Sequence, residues 1–175
     1  MITILDWPTG EFDHAERPFV DNIRKHGWLR TAALAEEGKP GFSYTTGFEV
    51  STGQPELMIF STADEVAHEM FWALFRRAQA GEPLPIGRRT NDFFSNLPAY
   101  AFQIARRHFG DYLGWSRWFY RGDNFCCLQI VWPDRAGMFP WEAGFDREFA
   151  SDQIDLTERG WTAAPARARS KRLSC

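Results

Sequence analysis

Long hydrophobic runs are missing from this 175-residue chain. No stretch approaches the ~20 apolar residues that cross a bilayer. The opening MITILDWPTGEFDHAERP carries no basic leader ahead of an apolar core, so no signal peptide is expected and a cytoplasmic location is. Cysteine is scarce as well, with three in all. Cys126 and Cys127 are adjacent, and adjacent strand residues point to opposite faces, so they do not readily share one metal ion. Cys175 is the last residue, where a prenylation signal would need three more. A disulfide scaffold is therefore not expected. The net charge of −3 gives no push towards nucleic acid or an anionic membrane. Recognised chemistry is absent too: there is no P-loop, GxGxxG, CxxC, HExxH or GxSxG, and neither a cofactor nor a metal is expected.

Aromatic rings stand in place of these features. They make up 16% of the chain, with 16 Phe and 8 Trp against 4 Tyr, an enrichment that favours a fold with a ring-lined pocket. An apolar fraction of 44% and a charged fraction of 25% belong to a globular protein, and the length fits one domain. Abundant arginine and alanine match a GC-rich bacterial gene. Residues 1–12 read as an extended N-terminal arm, 13–160 as the domain, and 161–175 as a basic C-terminal tail.

Periodicity divides the domain. Asp13 and Glu16 form a capping box for a helix that buries Phe19, Val20 and Ile23 and ends at Gly27. WLRTAALAEEGKP, from Trp28 onward, reads as a strand that its alanines weaken. In FSYTTGFEV, residues Phe42, Tyr44, Thr46 and Phe48 alternate onto one strand face, and PELMIFS returns as its hairpin partner. Thr62 and Glu65 predict a second capping box, opening a helix with Val66, Met70, Leu74 and Ala78 on one face; Trp72 and Phe75 fall outside that stripe. AYAFQIARR (Ala99–Arg107) reads as a strand with Tyr100, Phe102 and Ile104 alternating, although a helix there would also bury Phe102, Ala105 and Phe109, and Asp111–Gly122 reads as a helix. FCCLQIVW is apolar on both faces, the mark of a central strand. The predicted fold is α+β: one domain with a mainly antiparallel β-sheet and about three flanking helices.

Several polar residues fall at positions that packing alone does not explain. Gln129 lies on the buried face of the central strand, where an unpartnered amide costs ~1–3 kcal/mol. It is either a structural link or an amide orienting a ligand. Asp134 in PDRAG shapes a turn or joins a site. Trp132 and Trp141 bracket that turn as an aromatic wall or as staples to the core. Tyr44, Thr46 and Glu56 complete the nominated ligand-binding set. His26, beside Gly27, and His108, in ARRHFGD, are the acid–base candidates, whereas His14 and His68 read as solvated surface residues.

HGW (His26–Trp28), FSYTTGF (Phe42–Phe48), PEL (Pro55–Leu57), LQIVWPD (Leu128–Asp134) and GMFPW (Gly137–Trp141), in this order, resemble the bacterial family called domain of unknown function 4262. The resemblance covers roughly residues 20–145, leaves out the part from about Asp146, and implies no reaction. Two functions follow from the residues. One is an accessory module that binds a small ligand or a partner protein in an aromatic groove near Tyr44, Glu56, Gln129, Trp132 and Trp141; inhibition of a toxin, as immunity proteins do, is one version. The other is a small-molecule enzyme using His26 or His108, assisted by Tyr44, Glu56 or Asp134.

Overall fold

A computed structural model describes residues 2–8, 10 and 12–161; the basic tail beyond Trp161 lies outside the described residues. The fold is α+β: five helices around one five-stranded mixed sheet ordered β1-β2-β3-β5-β4, comprising β1 (Leu29–Ala33), β2 (Phe42–Thr46), β3 (Glu56–Phe60), β4 (Tyr100–Gln103) and β5 (Cys127–Val131). Three of its four pairings are antiparallel; β3 and β5 run parallel, with Glu56 opposite Cys127. Every residue of β3 and β5 is buried, as expected of strands covered on both faces.

Each face of the sheet has its own core. Met58, Phe60 and Cys127 pack with Phe19, Val20 and Ile23 of α1 (Glu16–His26) and with Phe109 and Phe119 of α4 (Phe109–Tyr112) and α5 (Gly114–Phe119). Leu57, Ile59, Leu128 and Ile130 pack against Ala67, Met70, Phe71, Leu74 and Phe75 of α3 (Asp64–Gln79). In the N-terminal arm, Ile4–Asp6 forms a 3₁₀ turn capped by Thr3, and both Ile4 and Phe12 are buried in the first core.

The capping box of α1 forms as the sequence predicts: Asp13 Oδ1 accepts from the N–H groups of Ala15 and Glu16 (2.7 and 2.8 Å), and Glu16 Oε2 accepts from that of Asp13 (3.0 Å). The box predicted for α3 does not. Thr62 Oγ1 donates backwards to the Phe60 carbonyl (3.0 Å), and the helix begins without a side-chain cap. Phe48 is not on the β2 face either. The chain leaves the strand at Gly47, with φ of 109°, and Phe48 opens the short helix α2 (Phe48–Thr52). The helix predicted over Asp111–Gly122 is broken at Leu113 (φ −120°, ψ 38°), where α4 gives way to α5.

Gly47 marks the tightest backbone-to-backbone approach at any described glycine. A Cβ there would come within 2.6 Å of the Gly27 carbonyl oxygen and 3.0 Å of Trp28 Cα. Gly53 has a similar positive φ (72°) but open space around it. Gly53→Ala should therefore cost only the left-handed strain of ~1–2 kcal/mol, while Gly47→Ala adds a backbone collision and should exceed it by at least ~2 kcal/mol in urea unfolding. Equal losses would refute this account of the β2–α2 junction.

Candidate functional site

The nominated polar residues meet internal partners. Glu56, at the start of β3, is fully buried. Its Oε2 accepts from Thr45 Oγ1 (2.6 Å); its Oε1 accepts from the N–H groups of Gly47 (2.9 Å) and Glu49 (3.1 Å) and from the Tyr120 hydroxyl. Five-residue α2 opens on a glycine that has no side chain to cap it, and the carboxylate from the neighbouring strand takes that part. Glu49 in turn accepts from the Cys126 N–H (2.7 Å), tying α2 to the entry of β5. Burial pushes the Glu56 carboxyl above its ordinary range, and its four donors offset only part of that rise. The Tyr120 and Cys127 protons are held more tightly still, first by burial and then by the nearby Glu56 charge.

Gln129 is a clamp: its Nε2 donates to the Ile154 carbonyl (2.7 Å) and its Oε1 accepts from the Leu156 N–H (3.2 Å), holding the C-terminal segment on the sheet. Trp132 Nε1 donates to the Phe60 carbonyl (3.0 Å). Asp134 accepts from the N–H groups of Ala136, Met138 and Asp146 (2.9, 2.9 and 2.8 Å), bonds that organise its turn and hold its carboxyl below the usual range. Trp141 stacks on Phe139 at 5.1 Å. The Tyr44 hydroxyl accepts from the Trp115 N–H (3.3 Å), and Thr46 shares a 2.6 Å hydrogen bond with Ser116.

A concave site lies elsewhere, where the end of α1, the start of β1 and the first half of α3 meet. A cleft of about 270 Å³ is lined by Asn22, His26, Trp28, Leu29, Arg30, His68 and Trp72. The left-handed Gly27 turns the chain out of α1 and delivers Trp28 under α3. Trp28 is only 3% exposed and packs edge-on against Phe48 (5.3 Å) and Trp72 (5.1 Å). Its buried indole N–H has no hydrogen-bond partner among the described residues. Half-exposed Trp72 is oriented from its own helix, one turn away, by donating Nε1–H to His68 Nε2 (3.1 Å). That bond requires a lone pair on Nε2, which places the proton of a neutral His68 on Nδ1. His68 and Trp72 also line a larger groove of about 920 Å³ that continues along α3 past Glu69, Ala73 and Arg76 towards Phe93–Asn96.

His26 thus enters a cleft with His68, not with Tyr44, Glu56 or Asp134. His108 ends a 3₁₀ turn beside Tyr112, at 6.4 Å between rings. His68 is as exposed as its helical position implies, and sequence reasoning passed it over. The signal was the i, i+4 spacing of His68 and Trp72 outside the apolar stripe of α3. Among the described residues, no group of three or more His, Cys, Asp and Glu side chains is placed to hold a metal ion, and no helix is long and apolar enough to cross a membrane.

The Glu56 cage makes a prediction about pH. Its folded-state pKa lies above the unfolded value of about 4.3, so its contribution to stability is present below that value and lost as pH rises through the folded-state pKa. The stability difference between wild type and Glu56→Gln should shift against the wild type across that window. A difference that stays constant with pH in urea titrations would refute the assignment. For Gln129→Ala the expected loss is ~1–3 kcal/mol, the cost of unpartnered buried groups. Amide exchange should then accelerate at Leu156 before it does in β5.

No curated protein and no solved structure matches the chain. A family model described as a domain of unknown function (DUF4262) matches residues 22–146, a span that contains the cleft-forming His26-Gly27-Trp28, the Glu56 cage and the Asp134 turn. The chain belongs to the DUF4262 family.

Proposed function

We propose that the protein is a binding module whose ligand, a small molecule or a side chain of a partner protein, places an apolar or aromatic group in the cleft lined by Trp28 and Trp72. The observation that carries this reading is the convergence of two tryptophans and two histidines on one concavity. Apolar walls with few polar groups are what ligand sites present. The cleft, at about 270 Å³, has room for an aromatic ring, and the adjoining groove along α3 accommodates the rest of a longer ligand. His26 and the Nδ1–H of His68 supply donors beside the cleft, which favours a ligand carrying an acceptor oxygen next to its apolar group.

A second reading keeps an acid–base role for His26, now with His68 as its companion. The shared cleft supports it, but no carboxylate lines that cleft to orient either imidazole. Tyr44, Thr46, Glu56, Gln129, Trp132, Asp134 and Trp141 fit a supporting role in this scheme, fixing the frame against which the cleft is built.

The test is a titration of the protein with small aromatic acids, aromatic amines and short apolar peptides, followed by NMR. Binding should move the indole signals of Trp28 and Trp72 and the imidazole signals of His26 and His68. Trp72→Ala should weaken it by roughly tenfold or more, the scale of losing one buried aromatic contact. Perturbations confined instead to Trp132 and Trp141 would move the site to the turn nominated from sequence, and none at either place would end the binding reading.

A further inference from the structure

The two edges of the sheet are treated differently. Strand β4 is covered: the Gly87 N–H donates to the Ala101 carbonyl (2.9 Å), and Thr90 and Ala99 form an antiparallel bridge beside it. Strand β1 is bare. Among the described residues, the backbone of Leu29–Ala33 hydrogen-bonds only to β2. An open edge is a row of unpaired donors and acceptors that proteins ordinarily cover, charge or interrupt with proline. Here LRTAA contains no proline and one charged residue, Arg30, whose guanidinium is turned to Ser43 and Asp64 (3.0 and 2.8 Å). Directly after the strand, Leu34 is 89% exposed, the most exposed of the large apolar side chains.

Charge is distributed along this edge with a polarity. Exposed Lys25 and His26 sit at its Leu29 end. At its Ala33 end the β1–β2 hairpin closes through the Glu36–Lys39 bridge, and Glu36, Glu37 and nearby Asp111 outnumber Lys39. Lys25, Glu36, Glu37 and Asp111 enter no ion pair among the described residues. An antiparallel copy of the same strand reverses that polarity.

We infer that the open edge of β1 is an interface with a second copy of this chain, paired antiparallel about a two-fold axis into one continuous ten-stranded sheet. In that arrangement the acidic hairpin tip of each copy lies beside the basic end of the other, and Leu34 leaves water. The interface is isologous, so the charge complementarity occurs twice. The cleft shares His26, Leu29 and Arg30 with the Leu29 end of this edge, but the tests separate the two readings: Trp72→Ala leaves the edge intact, and variants of the hairpin leave Trp28, His68 and Trp72 in place.

Sedimentation equilibrium across a concentration series tests it, with hydrogen exchange of the β1 amides as the local readout. The expected result is a mass that rises to twice the monomer value, with β1 amides protected as the dimer fills. Leu34→Lys and the double variant Glu36→Lys/Glu37→Lys should each raise the dissociation constant by roughly tenfold or more. Adding Lys25→Glu to the double variant should recover much of the loss. All of these positions are exposed, so folding is not expected to suffer. A monomer at every concentration overturns the inference, as does a dimer indifferent to these substitutions. Protection of β1 that appears only on mixing with a different protein also overturns it and gives the edge to another chain's strand.

Discussion

The carboxylate of Glu56 is the point on which this architecture converges. It caps α2, receives hydroxyls from β2 and from Tyr120 after α5, and sits where β3 begins beside β5. A buried carboxyl without a cationic partner is costly, and here four donors offset part of that cost. Oε1 has three of these donors, whereas Oε2 has Thr45 alone, so the Thr45 hydroxyl is the donor whose loss leaves a fully buried oxygen without a partner among them. The geometry of the β2–α2 junction is therefore held from three directions, and Gly47 can press against Gly27 with no room for a side chain.

That contact connects the cage to the cleft. Gly27 is the residue that turns α1 into β1, and its carbonyl also accepts from Ser51 Oγ of α2 (2.5 Å). A Cβ on Gly27 would come within 2.6 Å of the Phe75 ring. So α1, α2 and α3 meet around one glycine, and Trp28, the next residue, is fixed beneath α3 with rings on several sides. Each such aromatic contact contributes ~0.5–1.5 kcal/mol beyond the area it buries. The HGW, FSYTTGF and PEL stretches, far apart in the chain, are one physical unit: a buried acid, the helix start it caps, and two glycines that let the backbones touch.

Much of the fold was legible because its strongest signals were local. The capping box at Asp13, the left-handed stop at Gly27 and the two-faced apolar run of β5 each reported their own structure. The errors have local causes as well. Phe48 continued the alternation of β2, but no periodicity count sees that Gly47 must take a positive φ to reach Glu56. Thr62 had the spacing of a cap, yet its hydroxyl found the Phe60 carbonyl first. Asp111–Gly122 had helical composition, but Leu113 is fully buried in the first core, and the chain breaks there to place it.

The cleft was less legible than the fold because its parts come from different elements. His26 was visible as a candidate, but His68 and Trp72 acquire meaning only when α3 is laid across the end of α1. Gln129 and Asp134 stood out for the opposite reason. The burial of Gln129 and the turn at Asp134 were readable from the sequence, whereas their partners Ile154, Leu156 and Asp146 lie in a segment with little pattern of its own. A buried polar residue announces that something must bond to it, and in a chain this rich in loops the nearest supply of donors and acceptors is the backbone of its own C-terminal segment. The features that make a residue conspicuous in sequence are those of a well-satisfied frame, while the cleft that we propose as a binding site is lined mostly by ordinary-looking residues that the frame brings together.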